Sequence, residues 1–123
     1  MDIAPNEVRV DLAKNRLYLT LRGTWTDESS VTVTEIVKQR AKALRPGFSI
    51  INDISQMKAA SPNAAAIIKA CQEWLSAHGA KRVIRVIDPS NMISGMQFRR
   101  ASQEVYRADV AGSVREAEEM LRE

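Results

Sequence analysis

Reactive side chains are scarce in this chain, which has one cysteine, Cys71, and one histidine, His78, among 123 residues. A lone cysteine excludes an internal disulfide framework and points to a reducing, cytoplasmic setting. One Cys and one His cannot supply a usual structural zinc set, so no metal is expected. Glycine is equally sparse, at five residues, and none clusters as a phosphate cradle requires. The G-x-x-x-x-G-K-S/T loop, G-x-G-x-x-G and the G-x-S-x-G nucleophile elbow are all absent, so neither a nucleotide cofactor nor an enzyme of those classes is indicated. The longest unbroken apolar run, Ala64 to Ile68, falls far short of the roughly 20 residues of a membrane helix. The start Met1-Asp2-Ile3-Ala4-Pro5 lacks the basic-then-apolar pattern of a signal peptide. Aromatics are few and scattered (Tyr18, Trp25, Phe48, Trp74, Phe98, Tyr106), and the net charge of +3 is dispersed, densest at Lys81-Arg82 with Arg85 and at Arg99-Arg100. With no concentrated basic face and no row of rings to stack bases, nucleic acid is not an expected partner.

What remains is an ordinary globular composition, 45 % hydrophobic and 27 % charged, of a length that suits a single domain over residues 1–123. Val8, Val10 and Leu12 alternate with polar residues, and after Ala13-Lys14-Asn15-Arg16 the alternation resumes at Leu17, Leu19 and Leu21 up to Gly23. Two such runs predict an antiparallel hairpin with one buried face. Thr26 or Asp27 then suits an N-cap, and Val33, Ile36, Val37, Ala41 and Leu44 recur at helical spacing until Pro46-Gly47. Phe48 to Ile54 is short and nearly all apolar, as a central strand is. Ser61 as N-cap and Pro62 at the first helical position open the clearest helix, with Ala64, Ile67, Ile68, Cys71, Leu75 and His78 on one stripe and Gly79 as its stop. Lys81 to Asp88 predicts another buried strand. Ser94 with Gln97 suggests a capping box opening a helix through Phe98, Ala101 and Val105, Ala108 to Ala111 a last strand, and Ser113 with Glu116 a cap on a C-terminal helix. The order β-β-α-β-α-β-α-β-α predicts an α/β domain: a mixed sheet, antiparallel hairpin first and mostly parallel strands after, with about four helices.

Few residues suit chemistry. His78 falls at a helix C-terminus, where its charge complements the dipole, and Cys71 on an apolar stripe reads as a small buried hydrophobe. Asp53 and Asp88 lie at the C-terminal ends of predicted strands, where open α/β sheets place ligands, and two carboxylates there suit a metal or the acid and base of a small enzyme; capping of the following loops accounts for both more simply. The segment Asp53-Ile54-Ser55-Gln56-Met57-Lys58-Ala59-Ala60-Ser61-Pro62 is predicted to be a loop between the central strand and the strongest helix. A phosphate on Ser61 would meet backbone amides and the positive end of the dipole. Trp25 reads equally as a cover on the edge of the core or as an exposed contact anchor.

Element order and two local patterns resemble the STAS domain, the fold of bacterial anti-sigma factor antagonists. Leu21-Arg22-Gly23-Thr24-Trp25-Thr26-Asp27 matches the end of that family's second strand, and Asp53-Ile54-Ser55 the end of its central strand. The likeness runs from about Glu7 to Leu121. Where phosphorylated members open the next helix with Asp-Ser-Ser/Thr-Gly, this chain has Ser61-Pro62-Asn63-Ala64: the Asp and Gly are missing and Ser61 stands in with a shift of one residue. The resemblance implies a cytoplasmic, bacterial, non-enzymatic regulatory module for signal transduction that binds another protein, a kinase-like anti-sigma factor being the type of partner. Partner contacts are expected at Trp25, Asp53, Ser55, Met57, Ser61 and Asn63, with Ser61 and Ser55 as candidate phosphoacceptors. The alternative is a small-ligand or lipid-binding domain of the same fold, without a switch and with an apolar pocket between sheet and helices. A homodimer through the hairpin edge or Trp25 is compatible with the sequence but not required by it.

Overall fold

A computed structural model of the chain describes residues 7–88 and 108–122. Within them the elements run β1 (Glu7–Asp11), β2 (Arg16–Trp25), α1 (Asp27–Ala41), β3 (Ser49–Ala60), α2 (Pro62–Ala77), β4 (Arg82–Val86), β5 (Ala108–Ala111) and α3 (Val114–Leu121). The five strands form one mixed sheet in the order β1-β2-β3-β4-β5. The hairpin β1–β2 is antiparallel, and β2–β3, β3–β4 and β4–β5 are parallel. The described residues thus hold three helices. The helix expected to open at Ser94 lies outside them. No helix among the described residues is long and apolar enough to cross a membrane.

Side-chain alternation decides which face meets which helix. Leu17, Leu19 and Leu21 of β2, Ile50 and Ile54 of β3 and Val83 of β4 share one buried cluster with Val33, Val37, Ile68 and Leu75 of α1 and α2. The opposite face carries Tyr18, Ile51, Ile84 and Val86 against Ala111 and Ala117, with Val114, Met120 and Leu121 packed around them. Among the described residues, helices α1 and α2 therefore pack on one face and the short α3 on the other. Thr26 caps α1 with a reciprocal box through Ser29. Ser61 caps α2 and Ser113 caps α3.

Three expectations need correction. Ile36 is 40 % exposed, because the inner stripe of α1 runs through Ser30, Val33, Thr34, Val37 and Ala41. The Ser30 and Thr34 hydroxyls enter the core by donating to Thr26 O and Ser30 O, one turn back. The second strand does not stop at Gly23; it turns there with a positive φ of 74° and continues to Trp25. Finally, the expected loop after Asp53 is strand: β3 runs on to Ala60 by pairing with that extra length of β2. Register shifts mark the extension. Thr20 pairs with Asp53 but Arg22 with Gln56, and Gly23 with Met57 but Trp25 with Ala60, so β3 carries an extra residue at two bulges. The first bulge changes the parity of the strand, which is why Ile54 and Met57 both reach the α1/α2 core.

Candidate functional site

The start of α2, the end of β2 and the first turn of α1 meet at one corner. Ser61 Nα donates to Trp25 O at 3.3 Å, which ties the end of β3 to the end of β2. Ser61 Oγ accepts from Ala64 N at 3.1 Å, closing the cap of α2, and donates to Asp27 Oδ1 at 2.7 Å. Asn63 Nδ2 donates to Asp27 Oδ2 at 3.1 Å. One carboxylate in the first turn of α1 therefore clasps two side chains of the first turn of α2. The hydrogen bonds from Ser61 and then Asn63 hold the Asp27 carboxyl below its ordinary value of 3.8. The corner is accessible: Asp27 and Asn63 are exposed and Ser61 half-buried.

Other expected site residues are distributed differently. Asp53 Oδ1 accepts from Ser55 N at 3.0 Å and Ser55 Oγ at 2.6 Å, so this pair holds the first bulge of β3. No loop follows Asp53 for it to cap, since it lies inside β3, and Asp88 is exposed beyond the end of β4. Trp25 is only 2 % exposed and Met57 0 %. Neither side chain is a surface contact, because the extension of β2 and the parity change in β3 turn both inward. His78 is the C-cap of α2 and stacks on Trp74, ring centroids 4.6 Å apart. Cys71 is buried, and desolvation pushes its thiol up to about 11, which leaves it un-ionised and unreactive near neutral pH. Among the described residues no three His, Cys, Asp or Glu side chains are grouped to hold a metal.

Asp27 is the residue of this corner that sequence reasoning passed over, having treated it as a capping candidate for α1. The signal was present, since Asp27 closes the Leu21–Asp27 pattern. What it does depends on a neighbour 34 residues away.

The chain matches no protein-family model and no curated protein. Among solved structures it is similar to a DUF3478-family protein of Shewanella loihica PV-4, itself uncharacterised and described as having a SpoIIAA-like fold. The TM-score is 0.75 at 14 % identity, over 99 % of this chain and 98 % of that one. The chain has a SpoIIAA-like, STAS-like fold. The anti-sigma factor antagonist SpoIIAA in its unphosphorylated form is also similar, with a TM-score of 0.65 and 12 % identity over 95 % of this chain and 97 % of that one. At such identities the likeness is one of fold. The clasp occupies the junction of the second strand, the first helix and the second helix, at the Asp27 end of the Leu21–Asp27 pattern, whereas Asp53-Ile54-Ser55 lies further back along β3 beside Thr20 and Arg22.

Proposed function

We propose that the chain is a non-enzymatic, cytoplasmic regulatory module that binds another protein through the corner formed by Asp27, Ser61 and Asn63. The observation that carries this is the clasp itself, an accessible and charged junction between two helices in a SpoIIAA-like fold. SpoIIAA is named as an anti-sigma factor antagonist, and a kinase-like regulatory protein is the corresponding class of partner here.

Electrostatics make the corner responsive to charge on Ser61. A phosphate there would be favoured by the amides and dipole at the start of α2. It would also stand against the Asp27 carboxylate, 2.7 Å from the present hydroxyl, and like charges at that range repel strongly. Modification of Ser61 would therefore exchange a hydrogen bond for a repulsion and release Asp27 and Asn63 from each other. Ser55, committed to Asp53 at the bulge, is the weaker candidate acceptor.

The test compares tagged wild-type chain with Ser61→Ala and Ser61→Asp in affinity purification from the native host, read by mass spectrometry for co-purifying proteins and for phosphate. Aspartate keeps the N-cap but places a second carboxylate beside Asp27. A stoichiometric partner held by wild type and lost by Ser61→Asp, with unchanged circular dichroism, is the expected result. Equal recovery by all three chains would remove the corner from the interface.

A further inference from the structure

Between α1, α2 and the sheet lies a cavity of about 40 Å³, walled by Leu21, Val33, Val37, Ile68 and Leu75 among others, and lined also by Trp25, Asn52 and Gln72. These last three side chains are 2 %, 5 % and 3 % exposed. Trp25 Nε1, Asn52 Oδ1 and both amide atoms of Gln72 have no hydrogen-bond partner. Thr34 lines the same space, but its hydroxyl already donates to Ser30 O. Buried polar atoms are ordinarily paired, and each one left bare carries a desolvation penalty. Four orphans, on three side chains that line one small volume, form a set of complementary groups: an indole N–H and an amide N–H that donate, and two amide oxygens that accept.

We infer that this cavity is a binding site for a small neutral guest that both donates and accepts hydrogen bonds, with about three or four non-hydrogen atoms, as in a short primary amide or alcohol. Size follows from volume: a cavity needs about 10–15 Å³ of this measure per water-sized group, so about three fit. An acyl chain does not fit, which separates this site from a lipid pocket. Neutrality follows from the wall, where no charged side chain appears among the described residues and an ion would be stripped of water without compensation. The raised thiol of Cys71, on the same wall, is the same desolvation acting on a group of the protein. A wholly apolar guest would leave the four orphans bare. The inference is independent of the protein-binding corner, although Trp25 touches both: its indole lines the cavity while its carbonyl receives Ser61 N.

The two tryptophans give the test its internal control. Trp25 lines the cavity, whereas Trp74 stacks on His78 and is absent from the cavity wall. Acetamide is titrated into the full ¹⁵N-labelled chain while the indole N–H signals and the side-chain amide of Gln72 are followed by NMR. The expected result is a saturable shift at Trp25 and Gln72, with Kd on the order of 1 mM for so small a molecule, and no shift at Trp74. Acetate, of the same size but charged, should leave Trp25 unmoved. Gln72→Met, which keeps the volume and removes both amide atoms, should weaken acetamide about tenfold. A response that never saturates, an equal response to acetate, or undiminished binding by Gln72→Met would each overturn the assignment. So would water cross-peaks to the Trp25 indole that persist at high acetamide, which would make the cavity a hydration site only. Should Gln72→Met fail to fold, the acetamide–acetate contrast on the natural chain decides.

Discussion

On the α1/α2 face of the sheet, seventeen buried residues from Leu17 to Val83 form one continuous core, and the polar groups within it at Trp25, Asn52 and Gln72 lack partners. On the α3 face six of the described residues form a buried apolar cluster, and the polar side chains beside it bond to one another. Arg16 Nη1 donates to Tyr18 Oη at 3.1 Å, and Tyr18 Oη donates to Glu118 Oε2 at 2.7 Å. The Arg9 guanidinium lies 3.8 Å above the Tyr18 ring. Only Arg16 Nε in that group is buried without a partner. The α1/α2 face draws its stability from area and leaves a polar hollow inside it. On the other face a chain of hydrogen bonds links α3 to the sheet.

The contrast can be broken by mutation, and the largest effect belongs to the α1/α2 face. Leu75→Ala removes a residue 3 % exposed and should lower the unfolding free energy by about 3 kcal/mol. Val114→Ala, on half-buried α3, should lower it by less than about 1 kcal/mol. Urea denaturation measures both, and equal losses would show that the two faces share the burden. An intermediate effect is expected from Tyr18→Phe, which leaves Arg16 and Glu118 without their bridge and should lose about 1–2 kcal/mol. Burial first, and then the hydrogen bond to Glu118, raise the Tyr18 phenol above its ordinary 10.0, against a smaller opposing pull from Arg16. A raised folded value means that the contribution is complete below pH 10 and is lost as pH rises through the folded value. The wild type should therefore lose stability in that alkaline range more steeply than Tyr18→Phe; parallel pH curves would remove the phenol from the account.

The smallest effect belongs to the clasp, where all is exposed and water competes. Asp27 has a lowered folded value, so its contribution is present above the ordinary value of 3.8 and disappears as pH falls through the folded one. Asp27→Asn should give a thermal midpoint slightly below wild type at pH 6, with the two converging in acid. A gap that stays constant down to pH 2 would mean that the carboxylate charge has no part in the clasp.

Much of this molecule was legible because local rules and tertiary packing agree. Helix α2 combines a Ser61 cap, Pro62 at its first position and an apolar stripe, and its Gly79 stop has φ 110°, with Pro46 so close that a Cβ would meet its Cα at 2.6 Å. The hairpin follows from strict alternation around Asn15, itself left-handed at φ 53°. The stretch Ser55–Ala60 was illegible as strand: its composition, Ser-Gln-Met-Lys-Ala-Ala, has no strand preference, and its pairing comes from Gly23–Trp25 across the sheet. Trp25 left two readings open because a single aromatic at an element boundary points wherever the register sends it.

By itself, then, the sequence determined the hairpin, the helical course of α1, α2 and α3 and the cap and stop of α2, and it carries neither the cysteines of a disulfide framework nor a phosphate-loop motif. These are consequences of side-chain period, capping chemistry and composition, all of which act within a few residues. Only the tertiary structure decided that Asp27 meets Ser61, that Tyr18 meets Glu118 across 100 positions, and that Trp25, Asn52 and Gln72 converge on one cavity. Those contacts depend on sheet register and bulges, and a shift of a single residue in β3 exchanges its inward and outward faces.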